Sequence, residues 1–146
     1  MLKVLKKFKL PVCDLLTIYI CYVRPLLEYA VPVWNASITV SDVHKLERVQ
    51  KRALRIILGP DYECYSHALE TCNLTTLEIR RQNICFKFAN NLYKSEVFNK
   101  WLPNKVSEKV QYSLRNANKI SQVRCKTNRY KNSAIPYFID LLNGSI

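Results

Sequence analysis

Arg48, Lys51, Arg52 and Arg55 stand at i, i+3, i+4 and i+7, the spacing that gathers side chains on one face of an α-helix. A row of guanidinium and ammonium groups offers charge and hydrogen-bond donors to phosphate. Nucleic acid is the commonest partner for such a row. Val43, Leu46, Gln50, Ala53 and Ile57 fall on the opposite face, which is apolar but for Gln50. One side of this helix therefore suits a protein core and the other a polyanion. A solvated face kept basic for solubility would show the same pattern. Against that reading, Glu47 is the one acid in the helix after Asp42, so little on it offsets the cations.

The other residues with chemical potential do not assemble into a catalytic set. His44 and His67 sit in no recognisable catalytic setting, and acids such as Glu28, Glu70 and Glu78 are dispersed. The aspartates Asp14, Asp42, Asp61 and Asp140 are neither adjacent nor close in sequence. Gly59 and Gly144, the two glycines, are placed so that no phosphate-cradling or dinucleotide loop is possible. Six cysteines (Cys13, Cys21, Cys64, Cys72, Cys85 and Cys125) form no CxxC pair. Cys64, His67 and Cys72 with a distant Cys85 could open a zinc knuckle, but the intervals do not suit the compact zinc modules. Free thiols in a reducing compartment are expected, with no metal and no other cofactor.

The whole chain of 146 residues has one domain's worth of length and a formal charge of +12, which favours polyanionic partners. Hydrophobic content of 49% is ordinary for a globular protein. The longest uncharged apolar run, Leu15 to Val23, falls short of the ~20 residues a membrane span needs. Lysines precede it as in a signal peptide, but Asp14 interrupts and no clean cleavage site follows. The expected setting is intracellular, nuclear or cytoplasmic, not secreted. The sequons at Asn35, Asn73 and Asn143 then carry no glycan.

Helices must position the basic row. The spacing predicts a helix from about Val12 to Tyr29 that kinks or breaks at Pro25, then Pro32-Val-Trp34 as an extended connector with Trp34 as a core anchor. Ser41 is the expected N-cap of the basic helix, which runs over 42–58 and stops at Gly59-Pro60. A short helix over Tyr65 to Cys72 follows. A capping box at Thr75 to Glu78 then opens a longer helix toward Lys94. Its apolar residues fall on two faces, Leu77, Ile84, Cys85, Phe88 and Leu92 on one and Ile79, Phe86 and Tyr93 on a second, which predicts burial on both sides. Arg80, Lys87 and Lys94 share the remaining strip as a second candidate phosphate-contacting face. From Val97 to Lys131 nine lysines and arginines face Glu108 alone, and this segment carries +8 of the +12. It reads as loops and a mobile arm that a bound polyanion would order. A last amphipathic helix, Ser133 to Asn143, docks through Ile135, Phe138, Ile139 and Leu142.

Four stretches resemble one family, in order. They are YVRPLLEYAVPVWN from Tyr22 with KLERVQKRALRIILG from Lys45, LTTLEIRR at 74–81, the aromatic helix after it, and RYKNSAIP at 129–136 leading into IDLLN at 139–143. Together they resemble the segment after the catalytic palm in reverse transcriptases of non-LTR, LINE-type retrotransposons, especially the jockey and CR1 groups. The resemblance runs from about Leu15 to Asn143. It implies a thumb and C-terminal extension, an RNA-directed DNA polymerase as parent, and a palm upstream of Met1. The family's aromatic-Ala-Asp-Asp box has no counterpart here, so this piece is expected to bind and not to catalyse.

The expectation is an all-α fold, a small irregular bundle of about four to five helices with a basic, poorly ordered segment before the last one. Residues 1–96 would form a thumb-like domain, 97–131 the basic arm and 132–146 a docking helix. Arg48, Lys51, Arg52, Arg55, Arg80, Lys87, Arg124, Lys126 and Arg129 are the candidate nucleic-acid contacts. The expected partners are an RNA–DNA hybrid or duplex held by its phosphates, and the palm and fingers of the parent polymerase. No membrane is expected. A non-catalytic protein-interaction module and a decayed transposon remnant without activity are the alternatives.

Overall fold

A computed structural model describes residues 1–109 and 115–144 of the chain. It is all-α: the described residues form α-helices, short π and 3-10 turns and loops, with one isolated bridge between Lys105 and Ile120. The α-helices are α1 (Leu2–Lys7), α2 (Val12–Ile18), α3 (Arg24–Leu27), α4 (Val31–Trp34), α5 (Val40–Leu58), α6 (Tyr65–Thr71), α7 (Leu77–Lys94), α8 (Val106–Lys109), α9 (Asn128–Lys131) and α10 (Ala134–Asn143). Helical segments are thus more numerous than four to five because several are single turns. No helix among the described residues is long and apolar enough to cross a membrane.

Contacts divide the chain into two compact units, Met1–Tyr29 with Thr39–Arg80, and Ala30–Ile38 with Arg81–Ile146. These cut the sequence elsewhere than at 96 and 131.

In the first unit the expected break at Pro25 takes the form of a π turn over Tyr19–Val23. Proline has no N–H to donate to Cys21, and its ring crowds that carbonyl. Widening the preceding turn accommodates both defects without ending the helical path. Leu15 and Tyr19 meet Leu2, Ala53 and Ile57 in one apolar cluster. Leu54 and Leu58 join Ala68 and Cys72 of α6 in another, and Leu16 and Leu74 pack on both. Helix α5 starts two residues earlier than expected. Its N-cap is Thr39, whose Oγ1 accepts from the Asp42 N–H at 3.2 Å, and not Ser41. Gly59 ends it at φ 64, a left-handed value that side chains disfavour. Lys6 Nζ donates to the Ile57 carbonyl at 2.6 Å, which places a cation where the helix dipole is negative.

At the head of α7 the capping hydroxyl is Thr76, which accepts from Ile79 N–H at 3.3 Å, and not Thr75. The second apolar face expected on α7 is not buried throughout: Ile79 and Tyr93 are exposed and Phe86 is half-buried. Only one stripe, Leu77, Arg81, Cys85, Ala89 and Leu92, is covered.

In the second unit Val31, Cys85, Ala89 and Leu92 pack with Phe138, Ile139 and Leu142 of α10. Pro32-Val-Trp34 is helical and not extended, since proline suits the first turn of α4. Trp34 packs against this core, half-buried. The basic segment is more ordered than a mobile arm. Leu102 and Ile120 are buried in the core, and Asn143 clasps the Ile120 backbone, accepting its N–H at 2.8 Å and donating to its carbonyl at 3.0 Å. Burial of these two apolar side chains ties the segment to the core. Residues 110–114 of the expected arm lie outside the described residues.

One buried polar side chain ties the first unit together. Gln50, 1% exposed, accepts from Tyr19 O–H at 2.6 Å and donates to the Tyr65 hydroxyl at 3.0 Å and the Thr75 carbonyl at 2.9 Å. Gln50→Ala strands the buried Tyr19 hydroxyl and removes two part-buried hydrogen bonds, and we expect it to destabilise the chain by about 3 kcal/mol. Urea unfolding followed by circular dichroism measures this. A loss of less than about 1 kcal/mol would mean that the network is solvated.

Candidate nucleic-acid interface

Helix α5 turns Gln50, Ala53, Leu54, Ile57 and Leu58 inward, and this rotation sets the cations outward. Arg48, Lys51, Arg52 and Arg55 are all exposed. Two of them rest on aromatic rings. Lys51 Nζ lies 4.8 Å from the Tyr65 ring centroid, and the Arg55 guanidinium 5.2 Å from that of Tyr62. Such contacts at the surface contribute only ~0.5–1 kcal/mol, enough to orient a cation without withdrawing it from a phosphate. Arg52 borders an apolar groove of about 300 Å³ with Val49, Ala53 and Ile56.

Glu47, the acid in the middle of this helix, does not face the row. Its Oε1 accepts from the Tyr65 hydroxyl and, at 3.3 Å, from Leu77 N–H at the start of α7. Its Oε2 is buried without a hydrogen-bond partner. The half-buried acid nearest the row in sequence thus forms no ion pair with its cations. Among the described residues the ion pairs are Lys45–Asp42 and Arg80–Glu28, with His67 Nδ1 3.9 Å from the Glu63 carboxylate, and none takes a cation of this face. Lys45 holds the Asp42 carboxyl below its ordinary range, helped by the Thr39 hydroxyl.

The remaining expected contacts fall into two groups. Arg80 is half-buried, and its Nε and Nη2 donate to the two oxygens of Glu28, the second at 3.0 Å. That bidentate pair, which raises the Arg80 pKa above its ordinary value, argues against a place for Arg80 in a phosphate-contacting set. Lys87, Arg124, Lys126 and Arg129 are exposed and belong to the second unit, whereas the α5 row belongs to the first. No family model, curated protein or solved structure matches this chain. The geometry therefore carries the functional argument together with the sequence resemblance.

The cysteines serve local roles. Cys64 caps α6, its Sγ accepting from His67 N–H at 3.4 Å. The Ser66 hydroxyl and that N–H hold its thiol below the ordinary value. Cys72 and Cys85 are buried, and burial pushes Cys85 up to about 11. Among the described residues no three His, Cys, Asp or Glu side chains group as a metal site would require.

Sequence reasoning missed the inward turn of Glu47 and the burial of Arg81. The second had a signal, because Arg81 stands four residues from both Leu77 and Cys85 on the apolar stripe. The first had one too, because Glu47 stands three residues before Gln50 and seven before Leu54, although its partners lie 18 and 30 residues away.

Burial raises the Tyr19 and Tyr65 phenols above the ordinary value of 10.0, and the Glu47 carboxylate adds to this at Tyr65. The unfolded chain then loses these protons first. Their contribution is full below pH ~10 and is lost as pH climbs through the folded values. We expect a melting temperature insensitive to these groups below pH ~10 that falls above it, with the last part of the tyrosinate absorbance appearing alongside the unfolding. Full tyrosinate absorbance in a still-folded chain at pH ~12 would contradict the network.

Proposed function

We propose that this chain is a nucleic-acid-gripping, non-catalytic portion of a non-LTR retrotransposon reverse transcriptase, corresponding to its thumb and C-terminal extension. The observation that carries the reading is the withdrawal of Glu47 into the buried network, which leaves four exposed cations on one helix face with no acid among them. The ordered resemblance of four segments supplies the family. In this reading α5 lies along an RNA–DNA hybrid or other duplex, and Arg48, Lys51, Arg52 and Arg55 hold phosphates. Phosphate contacts position and give affinity without reading sequence. Lys87, Arg124, Lys126 and Arg129 add attraction from the second unit. Grip on the template-primer is the contribution, and bond formation belongs to the palm and fingers of the parent polymerase. The setting is intracellular, nuclear or cytoplasmic.

A helical protein-interaction module is the second reading. It is favoured by Tyr22, Leu26 and Tyr29, which follow one another at helical spacing and are 68%, 78% and 80% exposed. In the polymerase reading, the palm domain would cover such a stripe.

Salt separates the two. A labelled RNA–DNA hybrid should bind with an affinity that falls steeply with salt whatever its sequence. Replacing Arg48, Lys51, Arg52 and Arg55 by Ala should reduce the slope of log K against log salt by roughly 3–4. An unchanged slope would move the contact off α5. Absence of binding at low salt would leave the interaction module.

A further inference from the structure

The second unit holds a cavity that the α5 row does not explain. It has a volume of about 310 Å³, at the lower end of the range for small-molecule sites, and is lined by Phe88, Asn91, Leu92, Phe98 and Trp101. Its aromatic walls are braced. Phe88 packs against Phe138 of the core with centroids 5.6 Å apart, and Phe98 meets Trp101 edge to face at 5.2 Å. Even so the three rings stay open, Phe88 at 43%, Phe98 at 47% and Trp101 at 62% exposure. Leu92 is buried, and the walls are almost wholly apolar although Asn91 contributes to the lining.

A second cavity of about 350 Å³ adjoins the same 3-10 turn, Asn99–Trp101. Phe98 and Trp101 line the first cavity, whereas Asn99 and Lys100 between them line the second. Lys105 also lines it, with its Nζ 5.9 Å from the Tyr93 ring centroid. Glu108 is the acid there, facing two lysines. An apolar slot and a hollow bearing two lysines therefore open on different residues of one 3-10 turn.

That pairing matches a nucleotide, which joins a π-faced base to a phosphate. We propose that this site takes an unpaired base of single-stranded nucleic acid. The base stacks on Trp101, the most exposed of the three rings, with Phe88, Phe98 and Leu92 as the apolar surround, and the neighbouring phosphate sits at Lys100 and Lys105. Charge decides the occupant: an apolar peptide side chain would fill the slot and leave the lysines unanswered. Duplex bases, stacked inside their helix, cannot enter. Aromatic stacking accepts every base, so the site prefers strandedness over sequence. The phosphate half of the site rests on the polyanion reading above, while the base slot uses no residue of α5.

The test sets short oligo(dT) and oligo(U) against a duplex, using the full chain, Trp101→Ala, Lys100→Ala/Lys105→Ala and the fourfold α5 variant. Trp101→Ala should weaken single-strand binding roughly tenfold or more and leave duplex binding unchanged. The lysine variant should lower the salt dependence of single-strand binding. Loss of duplex binding in the α5 variant with single-strand binding intact would separate the two surfaces. A second measurement needs no variant: oligo(5-iodouridine) photocrosslinked to the wild-type chain should mark the peptide carrying Phe98 and Trp101. Absent single-strand binding, an unaffected Trp101→Ala, or adducts confined to α5 peptides would overturn the proposal, whatever becomes of duplex binding.

Discussion

The first unit depends on the requirement that a buried amide find partners. Gln50 lies among apolar neighbours on α5, and an unpaired amide there would cost several times what a typical hydrogen bond contributes. Its three partners come from the π turn, from α6 and from the strand of chain that leads into α7. A rotation of α5 that satisfied fewer of them would also bring the cationic side toward the core. The same rotation carries Glu47 to the Tyr65 hydroxyl and the Leu77 amide. Hydrogen-bond satisfaction in the interior thus fixes the charge pattern on the exterior.

This coupling explains why the face of α5 was legible in the sequence while its electrostatic character was only half so. Residues i, i+3, i+4 and i+7 share a face in any α-helix, and the apolar set opposite them identifies which face turns inward. Glu47 sits next to Arg48 in sequence and reads as a partial neutraliser of the row. The Tyr65 hydroxyl and the Leu77 amide, distant in sequence, fix it on the side that it shares by spacing with Gln50 and Leu54. The N-caps show a similar limit. Thr39 and Ser41 are both capping types, as are Thr75 and Thr76, and residue type alone does not choose between such near neighbours.

The basic segment before α10 shows composition being overruled by a few apolar side chains. Its charge and amide content read as a chain that cannot bury enough surface to fold. Leu102 and Ile120 nevertheless enter the core of the second unit, and Asn143 satisfies both backbone groups of Ile120 from the end of α10. Two buried residues separated by 18 positions have no periodicity to betray them. The aromatic slot was equally hidden. Phe88 reads as core by spacing, and Phe98 and Trp101 follow the helix end with no pattern that signals a shared wall.

Adjacent arginines show how the interior and the surface treat the same charge. A step of one residue along α7 turns the side chain by about 100°, so Arg80 and Arg81 leave the helix in different directions. Arg80 meets a carboxylate and forms a bidentate pair with Glu28. Arg81 is 1% exposed, and the contact that holds it is neutral: its Nε donates to Asn35 Oδ1 at 3.2 Å. Asn35 in turn donates from Nδ2 to the Tyr137 hydroxyl at 3.1 Å, and Arg81 Nη1 has no hydrogen-bond partner. Burying a cation in this way is costly, and the cost falls as more dipoles point their negative ends toward it. The Tyr137 hydroxyl accepts from Asn35, and Arg81 opposes the rise that burial imposes on the phenol. The amide of Asn35 therefore links the guanidinium to α10 and joins three elements of the second unit through a single polar path, as Gln50 does in the first.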